Sequence, residues 1–250
     1  HSMANDEFRR TTVYHELFHL VQGLVNPAFA VIEAYDSDLL LVSEATSTWM
    51  ERFGSTDPAA YEPQNYRTFQ PHLFQTAAYD SVAYAETGYA FSAMIEYLTG
   101  RFDGIACVKR LYEYIAAGNE AIPSLFYAVP GVTDDSWHHD FYRAVAERQV
   151  YPITPIVNNR FGVPPSWPPA RDTYTTSGNA VQMKTFPVML HGFRAAGYRF
   201  LFTAAAVSNL TDTSVLAVSL SNPRGDMGLS VISARISADP PGTIAVEDYG

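Results

Sequence analysis

From residue 6 to about residue 150, apolar residues recur at three- and four-residue spacing. This predicts helices near residues 6–25, 38–54, 84–101, 105–117 and 135–149. On the first of these, Val13, Leu17, Leu20, Val21 and Leu24 form one stripe that Tyr14 and Phe18 widen on one flank, so more than one neighbour is expected to pack against it. Prolines at 152, 155, 164, 165, 168 and 169 then stop helix formation and exclude a central strand. Further on, short runs rich in Val, Leu, Phe and Thr (180–190, 198–207, 214–220 and 229–236) are separated by Gly, Asn, Asp and Pro clusters, the pattern of an antiparallel sandwich or barrel. The expected fold class is α+β, with a mainly helical half at 1–150, a Pro-rich linker at 151–171 and a small antiparallel β-sandwich accessory domain at 172–250.

Composition narrows the classes. A chain of 250 residues can bury a real core, and 47% hydrophobic against 17% charged residues argues for a globular fold. The net charge of -10 would repel a nucleic-acid backbone over most of the surface. The longest apolar runs, such as 39–42, fall far short of the ~20 residues that cross a bilayer as a helix. Cys107 is the only cysteine, so an internal disulfide and a multi-thiolate metal site are both excluded, and it is expected to fill the core. His1-Ser2-Met3 reads like a cloning scar, and no signal-peptide pattern follows it.

The chemistry is concentrated in two helical segments. His15-Glu16-Leu17-Phe18-His19 places two imidazoles four residues apart, one above the other on a helix, where both can reach a single ion. Glu16 then lies beside the ion as a general base rather than a ligand. A catalytic zinc usually takes a third protein ligand. Glu44, in Ser43-Glu44-Ala45-Thr46-Ser47-Thr48-Trp49-Met50-Glu51, is the candidate, since a helix returning antiparallel can bring it to the open side of the histidine pair. The competing readings are a packed histidine pair without metal and a solvated Glu44. Glu51 shares the face of Glu44 two turns on, as a support for the ligands or a surface charge, and Gln22 could orient a ligand or make an unrelated polar contact.

Together these motifs resemble the gluzincin metallopeptidases, which pair HExxH with a glutamate on a following helix; the resemblance covers roughly residues 10–150. Glu44, Ala45, Ser47 and Glu51 reproduce the spacing of the E-G-x-A-x-x-x-E pattern of aminopeptidase N relatives, with Ala and Ser in place of Gly and Ala. More closely, HExxHxxQ followed by E-[AG]-x-[AS]-x-W-M-E is similar to a group of secreted bacterial metalloprotease-like proteins. The resemblance implies a Zn2+ cofactor held by His15, His19 and Glu44, peptide hydrolysis with Glu16 as base, and an extracellular location. It also implies a tyrosine that stabilises the oxyanion. Tyr84, before Gly88 at the head of the third helix, is the nearest match, although one extra residue intervenes and the family's Lys is missing; Tyr89 is its rival. His138 and His139 are other possible donors, whereas His72 and His191 have no supporting context.

Gluzincins carry a β-sheet lobe before the zinc helix, and only a short stretch precedes His15 here. An upstream segment or second chain completing the catalytic domain is therefore expected, beside a protein or peptide substrate. The leading expectation is a zinc endopeptidase whose β domain binds substrate or a surface. The alternative is a non-catalytic binding or structural protein that keeps a degenerate zincin site. The Asn209-Leu210-Thr211 sequon adds little to either.

Overall fold

The structure, a computed structural model, describes residues 3–27, 29, 37–74, 84–129, 136–146, 149–151, 172–176 and 198–202. The helices fall where the apolar spacing places them: α1 (Met3–Val25), α2 (Ser37–Met50), α4 (Tyr84–Arg101), α5 (Ile105–Ala116) and α7 (Ser136–Ala146). Two short helices, α3 (Gln64–Phe69) and α6 (Ala121–Tyr127), were not expected, because six or seven residues are too few for a periodic signal. The expected helix at 38–54 ends at Met50, and its last turn tightens into a 3-10 turn, Glu51–Gly54.

Helices α2 and α4 form the centre. Val42, Ala45 and Trp49 of α2 meet a core that includes Phe91, Met94 and Leu98 of α4. Leu111 and Ile115 of α5 and Phe141 and Val145 of α7 close it. Helix α5 buries Cys107, Val108, Leu111, Tyr112 and Ile115, one face of a helix, and Cys107 is the core filler its sequence context suggests. Trp49 donates its indole N–H to Glu96 of α4 at 2.9 Å, and Arg52 pairs with the same carboxylate, which pins the end of α2 to α4.

The crossing of α2 and α4 depends on Gly88. A Cβ there would stand 2.6 Å from the Glu44 Cβ and 2.8 Å from the Leu41 carbonyl oxygen, so the α4 backbone rests directly on the turn of α2 that carries Glu44. Gly88→Ala is expected to cost about 1–3 kcal/mol by overpacking and to move Glu44 off its position. A lower thermal midpoint together with weakened metal binding would show both effects. Gly54 makes a similar approach to α1, where a Cβ would lie 2.8 Å from the Arg10 carbonyl oxygen.

One expectation is corrected. Among the described residues there is no β-sandwich: the strands are β1 (Asp172–Thr176) and β2 (Tyr198–Phe202), which pair in parallel with Asp172 opposite Tyr198. An alternating or apolar run marks a strand but carries no information on the direction of its partner, and parallel pairing needs only a connection of a dozen residues or more. The described part of the chain is mainly helical. The other expected runs, 180–190, 214–220 and 229–236, and most of the Pro-rich linker lie outside the described residues.

The expected neighbours of the α1 stripe are not found among the described residues. The stripe does not face the helical core: Val13, Leu17, Leu20, Val21 and Leu24 are exposed, while Thr11, His15 and Gln22 are buried. Helix α1 turns its polar face inward because α2 and α5 supply hydrogen-bond partners there, which removes the desolvation penalty of burying those groups.

Candidate metal centre

His15 and His19 stand on successive turns of α1, and Glu44 reaches them from the facing turn of α2. The two Nε2 atoms are 3.1 Å apart, and Glu44 Oε2 lies 3.2 Å from that of His15 and 3.7 Å from that of His19. Glu44 Oε2 is buried and makes no aligned hydrogen bond; its approaches to the imidazoles have the distance of ion pairs only. A point about 2 Å from all three atoms lies just off their plane, which matches zinc bonds to imidazole nitrogen and carboxylate oxygen of about 2.0–2.2 Å.

The orientation of the rings is set from behind. Gln22, completely buried, donates its amide N–H groups to the Ser43 carbonyl at 3.0 Å and towards Thr46, Ser47 and the Tyr112 hydroxyl. The Ser43 carbonyl can only accept, so the Gln22 amide oxygen must point the other way, where it accepts from His19 Nδ1 at 2.8 Å. His15 Nδ1 donates to Glu51 Oε1 at 3.0 Å, and Tyr61 donates to the other oxygen of Glu51 at 2.9 Å. With both Nδ1 atoms carrying hydrogen, the Nε2 lone pairs of His15 and His19 face the Glu44 carboxylate. Three acceptor atoms aimed at one point leave a place between them for a positive charge, a proton or a metal ion, so the donor set fits a metal such as zinc.

The charges agree. Burial by itself would lower the affinity of His15 for its proton, but the Glu44 and Glu51 carboxylates outweigh it and raise the pKa to about 9. Burial would raise that of Glu44, yet His15 and His19 beside it bring it to about 2. In the metal-free chain a proton therefore occupies the place of the cation. His19 keeps 28% of its side-chain exposure against 9% for His15, so the centre is reached from the His19 side.

Glu16 is exposed on α1 and is not among the converging ligands. Tyr89 is half-buried on α4, with its ring centroid 6.2 Å from that of His15. Burial, followed by the fields of Glu44, Glu16, Glu51 and Glu86, pushes its hydroxyl up to about 12, so it stays a donor at neutral pH. Tyr84 is the first residue of α4 and its side chain lies outside the described residues, as does that of His139 and the whole of His191. His138 packs against Trp137, Phe126 and Tyr142. His72 packs its ring at a tilt against Phe69, which in turn meets Tyr89.

Glu51 and Gln22, whose roles the sequence leaves open, thus become the supports of the two histidines. Ser43, Ser47, Tyr61 and Tyr112 were not foreseen. Tyr112 is 90 positions from Gln22, so no local signal could have indicated the contact. Replacing Gln22 by Met, which keeps bulk but cannot hold His19 Nδ1, is expected to weaken zinc binding by about 10–100-fold, measured by competition with a chromophoric chelator. Losing the buried amide's bonds to the Ser43 carbonyl and the Tyr112 hydroxyl, both of which keep Thr46 as a partner, should also cost about 0.5–1.5 kcal/mol of stability.

Among the described residues, fold and site together define a mainly helical unit with a helix-borne His-His-Glu cluster suited to a metal ion. In comparisons with protein-family models, curated proteins and solved structures, nothing matches the chain. The functional argument therefore rests on the cluster's own chemistry.

Proposed function

We propose that the chain is a zinc-dependent peptidase of gluzincin type, acting as a secreted endopeptidase on proteins or peptides. The observation that carries this reading is the convergence of three acceptor atoms, His15 Nε2, His19 Nε2 and Glu44 Oε2, with both Nδ1 atoms fixed as donors by Glu51 and Gln22. When bound there, zinc would polarise a scissile carbonyl and make a water acidic enough to attack it near neutral pH.

The chain's own residues supply the remainder. Glu16, exposed at the next position after His15, takes a proton from the attacking water and returns it to the departing amine. Tyr89, kept protonated beside His15, or Tyr84, whose side chain lies outside the described residues, donates a hydrogen bond to the oxygen that gains charge. Gln22 and Glu51 hold the two imidazoles in the required tautomer.

The test is hydrolysis of a denatured protein by the zinc-loaded chain. Cleavage that stops on chelation and returns with added zinc supports the proposal. A chain that holds zinc at one ion per molecule yet cleaves nothing would instead be the binding protein with a retained site.

A further inference from the structure

Independently of the chemistry at the metal centre, α1 carries a contiguous apolar face towards solvent. Val13, Leu17, Leu20, Val21, Leu24 and Val25 are all exposed, Leu20 to 67% and Leu24 to 86%. With Tyr14 beside them, the exposed parts of these side chains come to on the order of 600 Å², at the upper end of what a monomer leaves uncovered. We infer that this face binds a second copy of the same chain, with the two α1 helices antiparallel about a twofold axis between Leu17 and Leu20.

The spacing along the helix supplies the argument. Val13, Leu17, Leu20 and Leu24 are separated by four, three and four residues, the seam of a two-helix coiled coil, and this order reads the same in both directions. An antiparallel copy therefore sets Val13 against Leu24, Leu17 against Leu20, and the same pairs again across the axis, as an isologous interface requires. A parallel copy would fare worse. Arg10 and Asp6 continue the line before Val13, so parallel pairing would press Arg10 on Arg10 and Asp6 on Asp6. In the antiparallel register both fall beyond the end of the partner helix at Val25 and stay in water.

The area suffices. Two faces of on the order of 600 Å² bury about 1,200 Å², where specific stable interfaces begin. Glu16 lies one turn before Leu20, at the border of the face, so the second copy would stand beside the proposed base and form one wall of the approach to it.

The experiment is sedimentation equilibrium of the full chain at concentrations up to about 100 µM, with two sets of variants. The unmutated chain is expected at twice its 27.7 kDa mass. Leu20→Glu with Leu24→Glu should give a folded monomer, because both side chains are exposed and their loss removes no core contact; burying four unpaired carboxylates should weaken the dimer about 100-fold or more. Chains with Val13→Cys and chains with Leu24→Cys should cross-link when mixed, and neither should cross-link with itself. An unmutated chain that stays monomeric would overturn the inference and leave the face to another partner. So would a dimer that survives the double glutamate variant, or cross-linking of Leu24→Cys chains with themselves.

Discussion

Glu16→Gln should reduce peptide hydrolysis by about 10²–10⁴-fold, the usual worth of a positioned general base, while zinc content stays at one ion per chain. The amide has the shape of the carboxylate but cannot accept the proton of water at neutral pH. Glu16 is exposed and apart from the three converging ligand atoms, so its replacement leaves His15, His19 and Glu44 as they are. Metal analysis and cleavage of a denatured protein, run on the same preparation, separate the two roles. Loss of zinc together with activity would mean that Glu16 is a ligand or a structural support. Full activity without it would remove it from the chemistry.

Glu44→Ala should act on the metal itself. Zinc sites bind with roughly 10–16 kcal/mol shared among four ligands, so loss of one is expected to weaken binding by about 10³-fold. Thermal denaturation then gives a large contrast. Zinc at a thousand times its Kd stabilises the unmutated fold by about 4 kcal/mol, whereas the same concentration is worth only about 0.4 kcal/mol to the variant. For a chain of this size that is a melting shift of roughly 10 °C against about 1 °C.

The metal-free proteins should differ as well, with a defined dependence on pH. His15 has its pKa raised from 6.5 to about 9, so its contribution is whole below 6.5 and is lost as pH rises through 9. Glu44 has its pKa lowered from 4.5 to about 2, so its contribution is whole above 4.5 and is lost as pH falls through 2. Between pH 4.5 and 6.5 both are in place, and there the metal-free variant should lose most relative to the unmutated chain. Equal melting shifts with zinc in both proteins would show that Glu44 is not a ligand.

The helices were legible because their apolar spacing extends over several turns. The one at 105–117 is an example: its single apolar face, Cys107 to Ile115, is the face that α5 buries. Helix α1 shows where that reasoning fails. Its stripe of Val and Leu is the strongest amphipathic signal in the segment, yet the core takes the opposite face. Apolar spacing identifies a face that would gain by burial, but burial also needs a partner surface. The described residues offer that surface to Thr11, His15 and Gln22 instead. The strands are a different case: β2 falls within the expected run at 198–207, but it pairs in parallel with β1 through a register set 26 residues apart, beyond the reach of local pattern.

For the candidate metal centre, the sequence alone determined that His15 and His19 share a side of one helix and that Glu44 and Glu51 share a side of the next. Both follow from the backbone hydrogen bonding of a helix, which fixes where residues four and seven apart must stand. Only the tertiary structure decided that Glu44 meets the two Nε2 atoms while Glu51 and Gln22 hold the Nδ1 atoms, and that the Tyr89 ring lies beside that of His15. Those outcomes depend on how closely α4 approaches α2 and the 3-10 turn after α2 approaches α1, which Gly88 and Gly54 permit, and on whether distant groups such as the Tyr112 hydroxyl repay the desolvation of a buried polar side chain. A helix can present its ligands by local rules; the balance between burial and partners that turns them into one site is settled by residues far away in the chain.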